Sequence, residues 1–256
     1  IISSKQKSIQ LLYQEGDLNY WKTRVSDTSN VPQFYNRLSE PGLSLISEVK
    51  KASPSKGVIR EDFDPLQLAK QFQASGASAV SVLTETDYFL GSPDYIELVR
   101  RGASLPIIRK DFILDEVQLY ESKVWGVDAV LLIKAILTDS DCQHLISVAR
   151  ELSLDVLLEI HNESELRSIS EMTGIQMIGV NNRNLSSFHV DTNTVLTLYP
   201  MIRALFSKDV LVVAESGYRT ASQLRFLDAQ GLDAVLIGEG LALDLSMTDF
   251  FKEKHS

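Results

Sequence analysis

In this 256-residue chain, lysines, glutamates and asparagines recur where short runs of Val, Ile and Leu stop. Glu48 and Lys50 follow Leu43-Ser44-Leu45-Ile46, Lys110 closes P-I-I-R-K, Lys134 follows A-V-L-L-I, and Glu159 lies in D-V-L-L-E-I. Thr84, Asn181 with Asn182, Glu215 with Ser216, and Gly238 with Glu239 end the other runs. A carboxylate and an ammonium two residues apart on a strand share one face, so Glu48 and Lys50 deliver an acid/base pair and a cation to one point. Any one such residue also serves to close a barrel mouth with an ion pair. A polar residue at every strand end is a denser set than mouth-closing requires.

These residues need strands to hold them. The runs at 43–49, 79–84, 106–112, 129–135, 155–160, 177–182, 210–217 and 234–238 are short, rich in branched aliphatics and too apolar for one-sided antiparallel strands. Helix-patterned segments alternate with them, with caps expected at Asp64-Pro65, Ser92-Pro93, Thr138, Asn162, Asp191 and Thr220. Gly76, Gly126, Gly174 and Gly231 end the helices before the next strand. Strand starts recur at intervals of about 27 residues, the period of a βα repeat. Eight such units predict one α/β domain over 1–256, a (β/α)8 TIM barrel whose strand ends converge on one mouth. A doubly wound open sheet is disfavoured, because no G-x-G-x-x-G follows the first strand. Residues 1–40 are expected to form a helical extension, with helices around Ile9–Glu15 and Val31–Leu38, Pro32 in a first turn, and D-T-S-N as loop.

Composition excludes several classes. The net charge of −9 opposes non-specific binding to nucleic acid or to an anionic membrane. No apolar run approaches the roughly 18 residues of a membrane span. The one cysteine, Cys142, lies at a helix start and is read as structural; no His/Cys cluster has metal-ligand spacing, so no metal or other cofactor is expected. A-E-S-G at 214–217 and I-G-E-G at 237–240 put glycines after the last two strands, where backbone N–H groups of a barrel commonly meet a phosphate. Glycine is also ordinary turn chemistry there, but the pair of loops favours a phosphorylated small-molecule ligand.

The motifs then become specific. S-E-V-K-K-A-S-P-S-K-G, Y-F-L-G-S, I-R-K-D-F-I, A-V-L-L-I, L-L-E-I-H, I-G-V-N-N-R-N-L, V-A-E-S-G and L-I-G-E-G occur in that order from about Leu43 to Leu241. The set closely resembles the indole-3-glycerol phosphate synthase family. The resemblance implies a carboxy-lyase of tryptophan biosynthesis, one that closes the indole ring of 1-(2-carboxyphenylamino)-1-deoxyribulose 5-phosphate with loss of carbon dioxide and water. It implies that Lys110 is the general acid for ring closure and Glu159 the acid/base of dehydration, with Lys110 or Lys50 as partner. Glu48 would orient a lysine, Lys50 would meet the anionic groups, and Asn181 and Ser216 complete the catalytic set.

For binding, the resemblance implies Arg183 at the substrate carboxylate or bracing Glu215. Glu215, Ser216, Gly217, Gly238 and Glu239 would serve the phosphate and sugar end. Ser53 and Pro54 fall in a first loop expected to move over the substrate, and Phe89, Phe112, Leu132 and Leu185 would form the slot for the aromatic ring; aromatic and leucine residues near strand ends are also ordinary core. The extension would lie over the mouth. Two departures stand out: Gly240, where relatives often carry serine or alanine, and Trp125 in place of a small residue, expected to affect packing. Partners would extend to other tryptophan-pathway enzymes, with a monomer or weak dimer in the cytoplasm, or in an organelle had an N-terminal segment been removed. A phosphoribosylanthranilate isomerase-like activity would want a cysteine and an aspartate at strand ends, which the sequence does not offer. A non-catalytic binding barrel would not be expected to keep Lys110, Glu159, Glu48 and Lys50 together.

Overall fold

The computed structural model describes residues 1–25, 33–54, 56–185, 187–243 and 246–254. Eight parallel strands close into a barrel: β1 (Ser44–Val49), β4 (Ala79–Leu83), β5 (Ile107–Lys110), β6 (Ala129–Ile133), β7 (Asp155–Ile160), β8 (Met177–Asn181), β9 (Leu211–Glu215) and β10 (Ala234–Ile237). A small hairpin, β2 (Ala52–Ser53) and β3 (Gly57–Val58), follows β1. Each barrel strand falls inside one of the eight expected apolar runs, because both faces of a parallel barrel strand are covered and the sequence therefore reads as continuously hydrophobic.

Alternation along the strands divides the core in two. Ile46, Ala79, Ile108, Ala129, Leu131, Leu157, Met177, Val213 and Leu236 fill the barrel interior. Their neighbours, among them Leu45, Val80, Val130, Leu132, Val156, Ile178, Val212 and Val235, face the surrounding helices. Those helices are α4 (Pro65–Ala74), α5 (Asp94–Gly102), α6 (Val117–Val124), α7 (Asp139–Glu151), α8 (Glu163–Ile169), α9 (Asn193–Leu205) and α10 (Ala221–Gln230), followed by α11 (Glu239–Leu243) and α12 (Asp249–Lys254).

Asp64, Thr138 and Asn162 cap their helices as expected, each side chain accepting from backbone N–H groups of the first turn, and Thr220 forms a full capping box with Gln223. Two caps shift. Pro93 and Thr192 occupy the cap positions of α5 and α9, while Ser92 and Asp191 act one residue earlier, accepting from the N–H of Asp94 and Asn193. Cys142 is buried in α7, and burial pushes its thiol up to about 11, so it stays protonated. No described helix is long and apolar enough to cross a membrane.

Three helices precede the barrel: α1 (Ile2–Glu15), α2 (Leu18–Arg24) and α3 (Phe34–Leu38). The helix α2 was not anticipated, for it is too short to show a period; its signals are Asp17, which caps it, and Trp21, which is buried and donates from Nε1 to Leu12 O at 3.2 Å. Val31, Pro32 and the D-T-S-N stretch lie outside the described residues.

The extension serves both ends of the barrel. At the mouth, Lys5 of α1 reaches Asp111 at 2.6 Å, and Ile1 and Ile2 line the cavity. At the opposite end, α3 inserts Phe34 and Leu38 into the interior core, and the Tyr35 N–H donates to Asp155 at the start of β7 at 2.8 Å. Phe34 is wholly buried. Phe34→Ala is therefore expected to lower stability by about 3–5 kcal/mol in urea unfolding while leaving KM unchanged, since the plug is remote from the mouth; a loss below about 1 kcal/mol would show that α3 is not part of the core.

Candidate active site

Lys110, Glu159 and Glu215 meet at the top of the barrel interior. Lys110 Nζ donates to Glu159 Oε2 at 3.3 Å and lies 3.8 Å from Glu215 Oε2. Register makes this possible: Glu159 pairs with Gly179, Asn181 with Glu215, and Leu83 with Lys110, so inward positions of five strands align. Gly179 is a requirement of the arrangement, because a Cβ there would overlap Glu215 Oε1. Gly238 does the same for Glu48, which pairs with Lys50 one layer along the mouth.

One ammonium thus faces two buried carboxylates. Burial alone would push Lys110 down, but Glu159, Glu215 and Glu48 outweigh it and hold the ammonium well above the usual lysine range. Burial likewise opposes ionisation of Glu159, yet Lys110 and then His161 overcome it and keep Glu159 ionised. Glu215 goes the other way: burial, then the Glu159 charge, raise its carboxyl above the usual range. Its Oε1 has no hydrogen-bond partner among the described residues.

The cavity above this triad has a volume of about 710 Å³. Its walls include Glu48, Lys50, Pro54, Phe89, Phe112, Asn181, Arg183, Leu185, Ser216, Gly217, Gly238 and Glu239 together with the triad, which brings most of the expected site residues to one space. Three expectations are corrected. Leu132 points outward into the helix-facing core, and Leu131 and Ile133 line the cavity instead; a one-residue difference on a strand reverses the face. Ser53 sits in the hairpin beside the cavity but is not part of its lining. Arg183 does not brace Glu215: its Nη2 lies 3.8 Å from Glu239 Oε2. Lys134 and Asn182, also at strand ends, turn away. Lys134 bonds Leu137 O at 3.0 Å and pairs with Asp139.

Buried groups that do not line the cavity fix those that do. Glu85 accepts from the backbone N–H of Asp87, Tyr88 and Phe89, folding the loop that presents Phe89 with its ring 6.3 Å from Phe112. Asn182 donates to Ser216 O at 3.0 Å and accepts from Val195 N, holding Ser216 (φ 68°) and Gly217 (φ 96°) in consecutive left-handed conformations. At Gly240 a Cβ would overlap Tyr218 O, so this backbone excludes serine or alanine. Trp125 stacks 4.2 Å from the Arg109 guanidinium, and Arg109 in turn bonds Asp111, Glu121 and Ser122. That network ties the strand bearing Lys110 to α6, and through Lys5 to α1.

The chain matches the family model described as indole-3-glycerol phosphate synthase over residues 1–253. The chain belongs to that family. Similar relatives include the indole-3-glycerol phosphate synthases of Chlorobium phaeovibrioides, 43% identical over 94% of this chain and 92% of that one, and of Acetivibrio thermocellus, 42% identical over 97% and 95%. The barrel also resembles solved structures at low identity. A chain of the Pyrococcus furiosus tryptophan synthase complex gives a TM-score of 0.57 at 17% identity, covering 84% of this chain and 96% of that one. KGPDC from Streptococcus mutans gives 0.61 at 12%, covering 84% and 96%. These two likenesses concern the fold alone. Family membership makes the activity that of an indole-3-glycerol phosphate synthase, a carboxy-lyase of tryptophan biosynthesis acting on a phosphorylated small molecule.

His161 was quoted within L-L-E-I-H without a role. Its Nε2 is 3.2 Å from Glu159 Oε1 and its Nδ1 3.2 Å from Glu165 Oε2, bridging the catalytic wall to α8. Burial lowers its proton affinity, but the Glu159 and Glu165 carboxylates beside it prevail and raise it from 6.5 to about 9. Below pH 6.5 the imidazolium is present in folded and unfolded chains and its pairing contributes in full; as pH rises the unfolded chain releases its proton first, so stability falls until about pH 9. Urea unfolding across that window should show the native chain losing on the order of 2 kcal/mol more than His161→Gln. Equal losses would mean that His161 is neutral throughout.

Proposed function

We propose that ring closure begins with proton donation from Lys110 to the ketone oxygen of 1-(2-carboxyphenylamino)-1-deoxyribulose 5-phosphate as the carboxylate-bearing aromatic carbon attacks that ketone. The supporting observation is a buried ammonium at the floor of the cavity, kept charged by Glu159 and Glu215. An ammonium there stabilises the developing alkoxide and then neutralises it by proton transfer. Carbon dioxide leaves next: the carbon–carboxylate bond breaks, and its electrons restore the aromatic ring.

Dehydration removes a hydroxyl from the former ketone carbon and a proton from the neighbouring methylene carbon. The opposite states of the two glutamates suit the two halves of that step. Glu159, ionised, accepts the carbon-bound proton; Glu215, protonated, gives its proton to the departing hydroxyl, which leaves as water. The bond electrons from C–H form the ring double bond, so atoms and charge balance. Asn181, whose Oδ1 accepts from Arg183 N at 3.0 Å, lies beside Glu215 and is assigned to the sugar hydroxyls. Phe89, Phe112, Leu131 and Leu185 enclose the aromatic ring, and Ser216, Gly217 and Gly238 face the phosphate. A cytoplasmic location belongs to the same reading, supported by the bacterial relatives.

Purified protein mixed with the substrate should release carbon dioxide and develop indole absorbance together; binding without product would refute the reading. Lys110→Met should abolish both signals, with a loss of at least about 10³-fold, while inorganic phosphate still binds. Turnover near the native rate would remove Lys110 from its role. In single turnovers, Glu215→Gln, which has no acidic proton, should release carbon dioxide well before indole absorbance appears. Simultaneous signals at the native rate would move the dehydration acid elsewhere.

A further inference from the structure

Among the residues that line the cavity with Lys110, one carboxylate is surrounded by cations from three separate loops. Glu239, at the end of the last barrel strand, is paired with Lys56 from the hairpin after β1. It also accepts from Arg219 Nη2, in the loop after β9, at 2.7 Å, and lies 3.8 Å from Arg183 Nη2, in the loop after β8. Its side chain is 14% exposed, whereas those of Lys56 and Arg219 are 46% and 56% exposed, so the acid sits inside and the cations close around it. Three positive charges against one negative leave an excess of two. Arg219 and Glu239 line the same cavity wall as Ser216, Gly217 and Gly238.

We infer that Glu239 is a tethered surrogate anion, which occupies the cation cluster in the empty enzyme and competes with the substrate's phosphate for Arg219 and Lys56. The inference rests on the phosphate end proposed above and gives the Glu239 side chain a role there. An excess of two positive charges matches a phosphate dianion. On entry the dianion takes over hydrogen bonds that the carboxylate holds, and the carboxylate stays nearby as a like charge. Two consequences follow. The three loops are already drawn together before substrate arrives, which reduces the ordering needed on binding. Free phosphate, which lacks the aromatic and sugar contacts, is opposed by the Glu239 charge, so the site discriminates against the bare anion in favour of the whole substrate.

The experiment is calorimetric titration of the full chain with inorganic phosphate, which needs no turnover and so reads separately from the catalytic assignment. Glu239→Gln should bind phosphate about tenfold more tightly than the native chain, the size expected for removing one charge beside a dianion in a wet cleft. Glu239→Asp, which keeps the charge, should stay within about threefold of native. Arg219→Gln should bind more weakly. If Glu239 only braces the loops, Gln and Asp variants will both bind phosphate more weakly, and the inference is overturned; unchanged affinity in Glu239→Gln overturns it too. If Glu239→Gln fails to fold, the Asp variant decides: weakened binding there contradicts competition. A further mark of competition is a lower KM for substrate in Glu239→Gln with a smaller kcat, from slower release of the phosphorylated product.

Discussion

The ammonium of Lys110 held between Glu159 and Glu215 is the constraint around which the upper barrel is built. Three ionisable groups away from water are tolerable only if charges are matched, and one lysine cannot match two carboxylates. The raised proton affinity of Glu215 eases the imbalance, and in the proposed mechanism its proton goes to the leaving hydroxyl. The surrounding sequence makes room for the cluster. Gly179 clears space for Glu215 and Gly238 for Glu48, while the layer beneath, Leu131, Leu157, Val213 and Leu236, is apolar and gives the carboxylates no alternative partner.

A buried polar cluster is only as well placed as the elements that carry it, and here support comes from outside the barrel. Lys110 is flanked in sequence by Arg109 and Asp111, whose side chains join a network with Thr84, Glu121, Ser122 and Lys5. Burial opposes the charge on Asp111, but Arg109 and Lys5 overcome it and bring its carboxyl down to about 2. Lys110 therefore sits on a strand fixed beside it by ion pairs, and α1 is bound to the mouth through the same aspartate. His161 performs a comparable service for Glu159, reaching across to Glu165 on α8.

The barrel was legible because covered strands leave an unbroken aliphatic signature, and the strand-end residues because polar groups interrupt it. Lys110, Glu159, Asn181 and Glu215 share one face by the simple alternation of a strand. The same alternation made Leu132 a misreading: within A-V-L-L-I two adjacent leucines look alike, and only register shows that Leu131 is inside. Arg183 was read toward the substrate carboxylate or Glu215 because its partner, Glu239, is 56 residues away on another loop, a distance no local pattern spans. Asn182 was visible as a strand-end residue, but His161 and Glu85 were hidden for a related reason. Each acts by bonding groups whose spatial neighbourhood is created by folding, and nothing in their immediate sequence distinguishes them from ordinary loop residues. The division of the extension, with α1 at the mouth and α3 at the opposite end, depends on packing that the first forty residues do not encode by period.

The cavity uses one device twice, with opposite sign. Near Lys110, two carboxylates share one cation; near Glu239, three cations share one carboxylate. A ligand with a phosphate at one end and a ketone that must gain a proton at the other can satisfy both only in one orientation, because reversal would bring a dianion against Glu159 and leave the cation cluster with its own glutamate. On the proposed reading, orientation is set by local charge, at separations where screening by salt is incomplete, while the net charge of −9 is spread beyond it. An acidic protein can hold an anionic substrate on these terms, and the polarity of the cavity, more than its total charge, decides which atoms meet Lys110.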